Sequence, residues 1–431
     1  GEGGASQGGS AGATDPNGPI DPTPPPHGSS SLPSGDALNS TPPVLAATRD
    51  GVVLAGATSD PELAGVPMFG LGVTGEAFVA ALDREGGVVW STVLSDAGMP
   101  SAVAVDANDD IVVLAPFLAD ATSIFPGEYG DSLYLAKLDS DGNLQYEREL
   151  AFGVGTQPQA LAIDAEGALY VAGSQSPESD FPNEYVLLAK YDPDGSELWK
   201  NVFVHAGSTA YASSLAILPD GDAVVAGVFN GRMDLGGDEL VSDALLGSSM
   251  MPNGFVARFT PRGEHVWSEN FGGTIFDGAT ALTAVGDGDV LIGGWLSGVS
   301  SIGGESATAD EEDGSPFIAR LDADGRARWV TLAGDKGATY GIVKDADDSD
   351  FYVVGDLGGS DYLAEFTQAG APGGTATLES GAITTVSAAV DARGSIWISG
   401  SFTGDVDFGN GNVESGGDAG VCLVRLDRAA E

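Results

Sequence analysis

Cysteine is almost missing from this chain: Cys422 is the only one in 431 residues. An internal disulfide and a thiolate zinc cluster are therefore excluded. Cys422 itself sits in the apolar run "GVCLVRLD", where a thiol acts as a small buried hydrophobe. Histidine is nearly as scarce, and His27, His205 and His265 are too scattered to propose a site. No stretch approaches the ~18–20 apolar residues of a membrane helix, and no segment carries a convincing helical period. The largest deficit is in bases. Seventeen Lys and Arg stand against 63 Asp and Glu, a formal net charge of −46. Such a surface repels nucleic acid phosphates and anionic headgroups, which argues against DNA, RNA and lipid-surface partners. It suits high salt or the cation-rich surroundings outside a cell, where screening tames self-repulsion. The acids have two readings, a solvated coat that keeps the protein apart from its copies or a set of cation sites.

What is abundant falls into two unlike parts. Residues 1–43 are built of Gly, Ser, Ala and Pro with almost no hydrophobes. They cannot bury enough surface to offset the entropy of ordering, so they are expected to form a flexible tether. Glycine-rich tethers of this kind commonly follow the lipid-modified cysteine of bacterial surface lipoproteins. The chain begins at Gly1, and an upstream signal peptide or lipid anchor is expected.

From about Val44 to residue 431 one unit repeats. Its first half is a hairpin, as in "AVAVDANDDIVVLAPF", "ALAIDAEGALYVAGS" and "SAAVDARGSIWISGSF", and it occurs seven times. Its second half is another, as in "LYLAKLDSDGNLQYEREL" and "PFIARLDADGRARWVTLA". The runs are four to seven residues long, rich in Val, Leu, Ile and aromatics, and punctuated by Asp-Gly turns, which reads as strands. Four strands per unit and seven units predict an all-β fold: a seven-bladed β-propeller of four-stranded antiparallel blades, forming a single domain. No blade can bury both faces alone, so the blades must stack in a ring. The last unit stops after "GVCLVRLDRAAE", and the stretch about residues 29–40 is the candidate for its missing strand.

The phrase "LDADGRARW" and its near-copies fall in the second hairpin. Gly142, Gly195, Gly263 and Gly325 occupy the place where positive φ is cheapest. Four residues later stands an aromatic, Trp90, Tyr146, Trp199, Trp267 or Trp329, expected to wedge between blades. A calcium loop would need D-x-D-x-D-G and a distant Glu, and only D-x-D-G is present. The quinone-docking motif A-x-D-x-x-T-G-x-x-x-W has one more residue between Asp and Gly and a Thr that is missing here. The phrase is therefore read as architecture, and no cofactor is assigned, with calcium left open only in the acidic loops.

Units with "GSFTGDVDFGNG", "GVFNGRMDLGG", "GFVARFTPRG", "LYLAKLDSDG" and "AVDARGSIWISG" resemble the SBBP-type β-propeller repeats of bacterial secreted or lipid-anchored proteins. The resemblance covers nearly everything after residue 43 and implies an exported, extracellular or cell-surface protein. It carries over no catalytic residue. The unit with Gly374 in the aromatic's place departs from the pattern.

Strand order puts the connections between the second and third strands and those between blades on one face, which holds the longest segments. Binding is expected there, on loops held by a rigid scaffold. Its acids include Asp310, Glu311, Glu312, Asp313, Asp405 and Asp407, with Asp234, Asp238 and Glu239, and the first six are the candidate cation ligands. Its aromatics without an evident strand partner are Phe69, Phe125, Tyr129, Phe181 and Phe276. Carboxylates beside aromatics suit a glycan, a cationic peptide or a partner protein; the bland alternative is a solvated surface with aromatics plugging the loops onto the blades. A monomeric, non-enzymatic binding scaffold is the leading expectation. A hydrolase or lyase acting on extracellular polymers is the first alternative, needing a carboxylate pair or a base on this face, and a structural spacer is the second.

Overall fold

The computed structural model describes residues 29–31, 41–58, 62–63, 66–67, 76–117, 130–176, 184–203, 209–242, 252–273, 275–286, 288–310, 314–344, 348, 350–377, 383–402, 405–407, 412–414 and 420–426. It is a seven-bladed β-propeller, each blade a four-stranded antiparallel sheet. In blade 4, Thr209–Ile217 lies innermost, then Ala223–Asn230, Asn253–Phe259 and outermost His265–Phe271. The other blades repeat this order. The innermost strands touch their neighbours all the way round the ring, with the last, Ile383–Val390, against the first, Thr41–Thr48. Two blades are joined without a break: Leu144–Ile163 is one strand, outermost in blade 2 and innermost in blade 3. In blade 7, Ser29–Ser31 pairs antiparallel with Val424, Arg425 and Leu426, so the sheet that ends the chain is completed by a strand from near its start.

The core lies between blades rather than inside any of them. Seven apolar clusters account for the seven seams. The seam of blades 7 and 1, for example, packs Trp397 and Leu423 against Leu45, Leu54 and Phe78. This is why the strands read as nearly continuous apolar runs: Tyr185–Tyr191 is buried at every position, because both faces of the sheet meet another sheet. Cys422 is part of the seam of blades 6 and 7, 3% exposed, with its thiol pushed up to about 12 by burial.

Every inner strand from blade 3 to blade 7 carries a bulge at the same height, where its register against the second strand slips. The bulge drives a carbonyl onto the second strand. A Cβ on Gly227 would lie 2.0 Å from the Tyr211 carbonyl oxygen, and one on Gly355 would lie 2.1 Å from that of Ala338. The recurring "V-x-G" at the end of the second strand is this close approach. Two bulge hydroxyls also bind the ring together. Ser213 donates to the Ala279 carbonyl of the next blade at 2.6 Å, and Thr280 donates to that of Thr339.

Candidate functional site

At the short-turn face the repeated aromatics and glycines interlock from one blade to the next. Trp90 lies against Gly142 of blade 2 so closely that a Cβ there would meet the indole at 2.5 Å. Tyr146 meets Gly195, Trp199 meets Gly263 and Trp267 meets Gly325 in the same way, and Trp329 continues the series onto Gly370. Each ring also donates a hydrogen bond into the turn it covers: Trp90 to Ser140, Tyr146 to Pro193, Trp199 to Pro261, Trp267 to Ala323 and Trp329 to Gln368, all at 2.9–3.0 Å. The glycines have φ near +80°. A larger residue would be strained by its backbone and would also displace the ring.

A second device at this face went unread in the sequence. In "LAKLD", "LAKYD", "VARFT" and "IARLD" the base two residues before the turn reaches the acids of its own blade's first hairpin. Lys137 holds Asp106 at 3.1 Å and Asp110 at 3.2 Å, Lys190 holds Asp164 at 3.0 Å, Arg258 holds Asp222 at 2.7 Å and Asp220 at 2.6 Å, and Arg320 holds Asp289 at 2.7 Å. Burial alone would raise the Asp106 carboxyl. Backbone N–H groups of Asn108 and Asp110 together with Lys137 outweigh burial and hold it below the usual range. The signal was the alternation of one base with apolar residues, hidden because its partner lies about 30 residues back in the chain.

A cavity of about 320 Å³ opens at the axial mouth of this face, lined by the inner turns of blades 3 to 6. Its charged lining is Asp164, Glu166, Asp220 and Lys344; Asp164, Asp220 and Lys344 are paired with Lys190, Arg258 and Asp348 respectively, and Glu166 is exposed.

The opposite face carries the long segments. Four of them form two-stranded ribbons: Glu62–Leu63 with Val66–Pro67, Arg232–Met233 with Leu240–Val241, Val299–Ile302 with Glu305–Thr308, and Asp405–Asp407 with Asn412–Glu414. The blade 4 and blade 5 ribbons do not stand up as binding loops. They fold down over the outer strands, filling the wedge that opens between twisted blades. Met233, Leu235 and Leu240 join the apolar seam of blades 3 and 4. Ile302 and Ala309 join that of blades 4 and 5, and the Gly303 carbonyl accepts from Ala327 at the foot of the outermost strand. Asp234 caps its own turn by accepting from Gly236, and Glu239 pairs with Arg232, so these acids lie at the periphery.

Of the proposed cation ligands, Asp310 is half-buried, its N–H donating to the Ser315 hydroxyl. Asp405 and Asp407 fall on a ribbon strand whose side chains lie outside the described residues, as do Glu311, Glu312 and Asp313 entirely. Among the described residues no three His, Cys, Asp or Glu side chains come together in a group that could hold a metal ion. Phe69, Phe125, Tyr129 and Phe181 also lie outside the described residues. Phe276 is half-buried against the loop at Gly314, where a Cβ would be 3.5 Å from its ring.

Two carboxyls at the long-loop ends of the strands are pushed up by burial. Asp277, fully buried, accepts from the N–H groups of Gly273 and Ser297 and from the Ser300 hydroxyl, so it ties the entry of blade 5 to its ribbon. Glu184 is different. It directly precedes the third strand of blade 3, half-buried, and among the described residues its carboxyl accepts the Gln157 amide at 3.3 Å. Burial is the sole cause of its raised pKa, and no described cation lies against it.

No family model matches the sequence, and no curated protein does. Among solved structures, a chain from the crystal structure of the mitotic checkpoint complex is similar over 98% of this chain and 99% of its own, at 10% identity and a TM-score of 0.52. A chain of hydrazine synthase from Kuenenia stuttgartiensis is similar over 71% of this chain and 77% of its own, at 15% identity and a TM-score of 0.44. At such identities a likeness speaks to architecture only. By strand order, ring closure and the first of these likenesses, the chain is a β-propeller.

Proposed function

We propose that this protein is an exported, non-enzymatic binding scaffold of SBBP type, held at a bacterial surface by its glycine-rich first 43 residues, and that it takes a positively charged segment of a partner protein or peptide on its long-loop face. The observation that carries the reading is where the few bases go. Of 17 Lys and Arg, Lys137, Lys190, Arg258 and Arg320 are locked onto acids at the short-turn face, as Lys344 is onto Asp348. Those pairs neutralise one another, the net charge of −46 is left to the rest of the surface, and a field of that sign concentrates cationic ligands and speeds their encounter. A catalytic reading needs an acid–base pair set apart by environment. The carboxylates of the short-turn face are instead occupied in clamps.

The test is an array of basic, acidic and neutral peptides together with glycans, probed with the full chain in calcium and in a chelator. Binding concentrated on basic peptides in both conditions is expected. Binding confined to glycans, or lost on chelation, would overturn the reading in favour of a sugar or a cation-bridged ligand.

A further inference from the structure

A repeat carries its own controls, since copies of one unit show what each position holds when the fold alone selects it. At the short-turn end of the inner strands that residue is aliphatic: Val105 opposite Ile111, Ile163 opposite Leu169, Ile217 opposite Ala223 and Val390 opposite Ile396. Blades 1 and 5 have the smaller Ala47 and Ala284 there, and blade 6 alone has a charge, Lys344 opposite Phe351. The turn that follows begins with Asp106, Asp164 and Asp391 in blades 2, 3 and 7. In blade 4 Leu218 takes that place and makes the same backbone bonds, with Asp222 and Gly221. Leu218, Ala284 and Lys344 all line the cavity of about 320 Å³ at the axial mouth. The cavity lies where the repeat is broken.

The lining follows the order of the blades. Exposed Glu166 stands on the blade 3 side, Lys344 on the blade 6 side, and Ile217, Leu218 and Ala284 of blades 4 and 5 make an apolar wall between them. Asp348 accepts from Lys344 and from the Gly286 N–H. That pairing fixes the ammonium and uses one of its three donors. The other lining acids are engaged, Asp164 by Lys190 and Asp220 by Arg258. Opposite charges at the two ends of an apolar wall complement a molecule with opposite charges at the two ends of an apolar body. A simple anion would be repelled by the net charge of −46, and a simple cation would find an ammonium at one end. A zwitterion meets neither obstacle. The volume is at the low end of ligand pockets, about 300–1,000 Å³, and suits a molecule no larger than a dipeptide.

We propose that the axial cavity binds a small apolar zwitterion, an aliphatic α-amino acid or dipeptide, with its carboxylate on Lys344, its ammonium on Glu166 and its side chains against Ile217, Leu218 and Ala284. The site is on the face opposite the one assigned to cationic segments and does not depend on that reading. It adds a small-molecule site to a protein read otherwise as a scaffold for macromolecules.

The probe is the dipeptide alanyl-leucine, titrated calorimetrically into the full chain beside its N-acetylated and C-amidated forms. The wild type is expected to bind the free dipeptide and to bind each capped form about tenfold or more weakly, the scale of one lost charge-assisted hydrogen bond. Ala284→Ile puts into blade 5 the residue that blades 3 and 4 have at this position. It fills the cavity, so binding is expected to be lost while the melting temperature holds. Glu166→Gln is expected to weaken the free dipeptide about tenfold and to leave the N-acetylated form unchanged. No uptake of the free dipeptide by the wild type, or equal affinity for the doubly capped form, would overturn the site. Undiminished binding by Ala284→Ile or by Glu166→Gln would do the same. Should Ala284→Ile melt lower, Glu166→Gln, an isosteric change at an exposed residue, decides the matter alone.

Discussion

At the residue scale, the strongest commitments in this molecule are pairs that cross a turn. Lys190 connects Asp164 at 3.0 Å to the Tyr170 hydroxyl at 2.7 Å, and that hydroxyl in turn donates to the Gly221 carbonyl of blade 4. The Asp164 side chain is 3% exposed, so removing only the cation leaves a charge with nowhere to go. Lys190→Met is expected to cost about 3–5 kcal/mol, and adding Asp164→Asn should recover most of it, since a neutral pair carries no desolvation debt. Urea unfolding of the two variants measures both. These pairs also fix the acid response. Asp106, Asp289 and Asp348 have carboxyls below the ordinary range: burial pushes each up, and hydrogen bonds and cations outweigh it. Their stabilisation is complete above the unfolded value of about 3.9 and is lost as pH falls through the lower folded values. Melting temperature is therefore expected to hold down to about pH 4 and fall below it. Glu184 and Glu269, raised by burial, act with the opposite sign, their penalty appearing as pH rises above about 4.

The aromatic–glycine lock was legible in the sequence because both members recur at one fixed spacing. The clamps were not, because each base meets its acids from another hairpin.

At the scale of elements, strand pattern and turn chemistry were enough to count blades, and the connections were harder to read. "GRMDLGGDELVS" looks polar and loop-like along the chain. In the fold its Met233, Leu235 and Leu240 are at most 6% exposed, and its charged residues face outward. The alternation was present, but runs of two strand residues are too short to register as strands. These ribbons cover outer strands that would otherwise offer free edges for pairing with other chains. Replacing residues 231–242 by two glycines, the linker blade 6 uses between Leu357 and Ser360, should uncover Phe203 and Trp199. The loss of three buried apolar side chains is worth on the order of 5 kcal/mol. A urea midpoint unchanged from wild type would show that the ribbon is ornament. Blade 6 lacks the lock: Gly374 stands in its outer strand opposite Glu365, where blades 1 to 5 present an aromatic opposite a Lys, Arg or Ala. Amide hydrogen exchange is expected to be faster in Pro372–Thr377 than in the outer strands of blades 1 to 5.

For the whole molecule, ring closure and charge act together. Seven seams of similar chemistry make a rigid cylinder, and the closing sheet joins Ser29–Ser31 to the strand that ends the described chain. On that frame a charge of −46 opposes compactness, so salt should stabilise the fold while weakening any long-range attraction of cationic partners. The most direct measurement follows the binding of acetyl-Lys-Lys-Lys-amide and of acetyl-Glu-Glu-Glu-amide to the full chain across a salt series from about 20 to 500 mM. The basic peptide is expected to bind at low salt with an affinity that falls as salt rises, and the acidic peptide is expected not to bind. Equal affinity for the two peptides, or no binding of the basic one at low salt, would contradict the account of a scaffold for cationic segments.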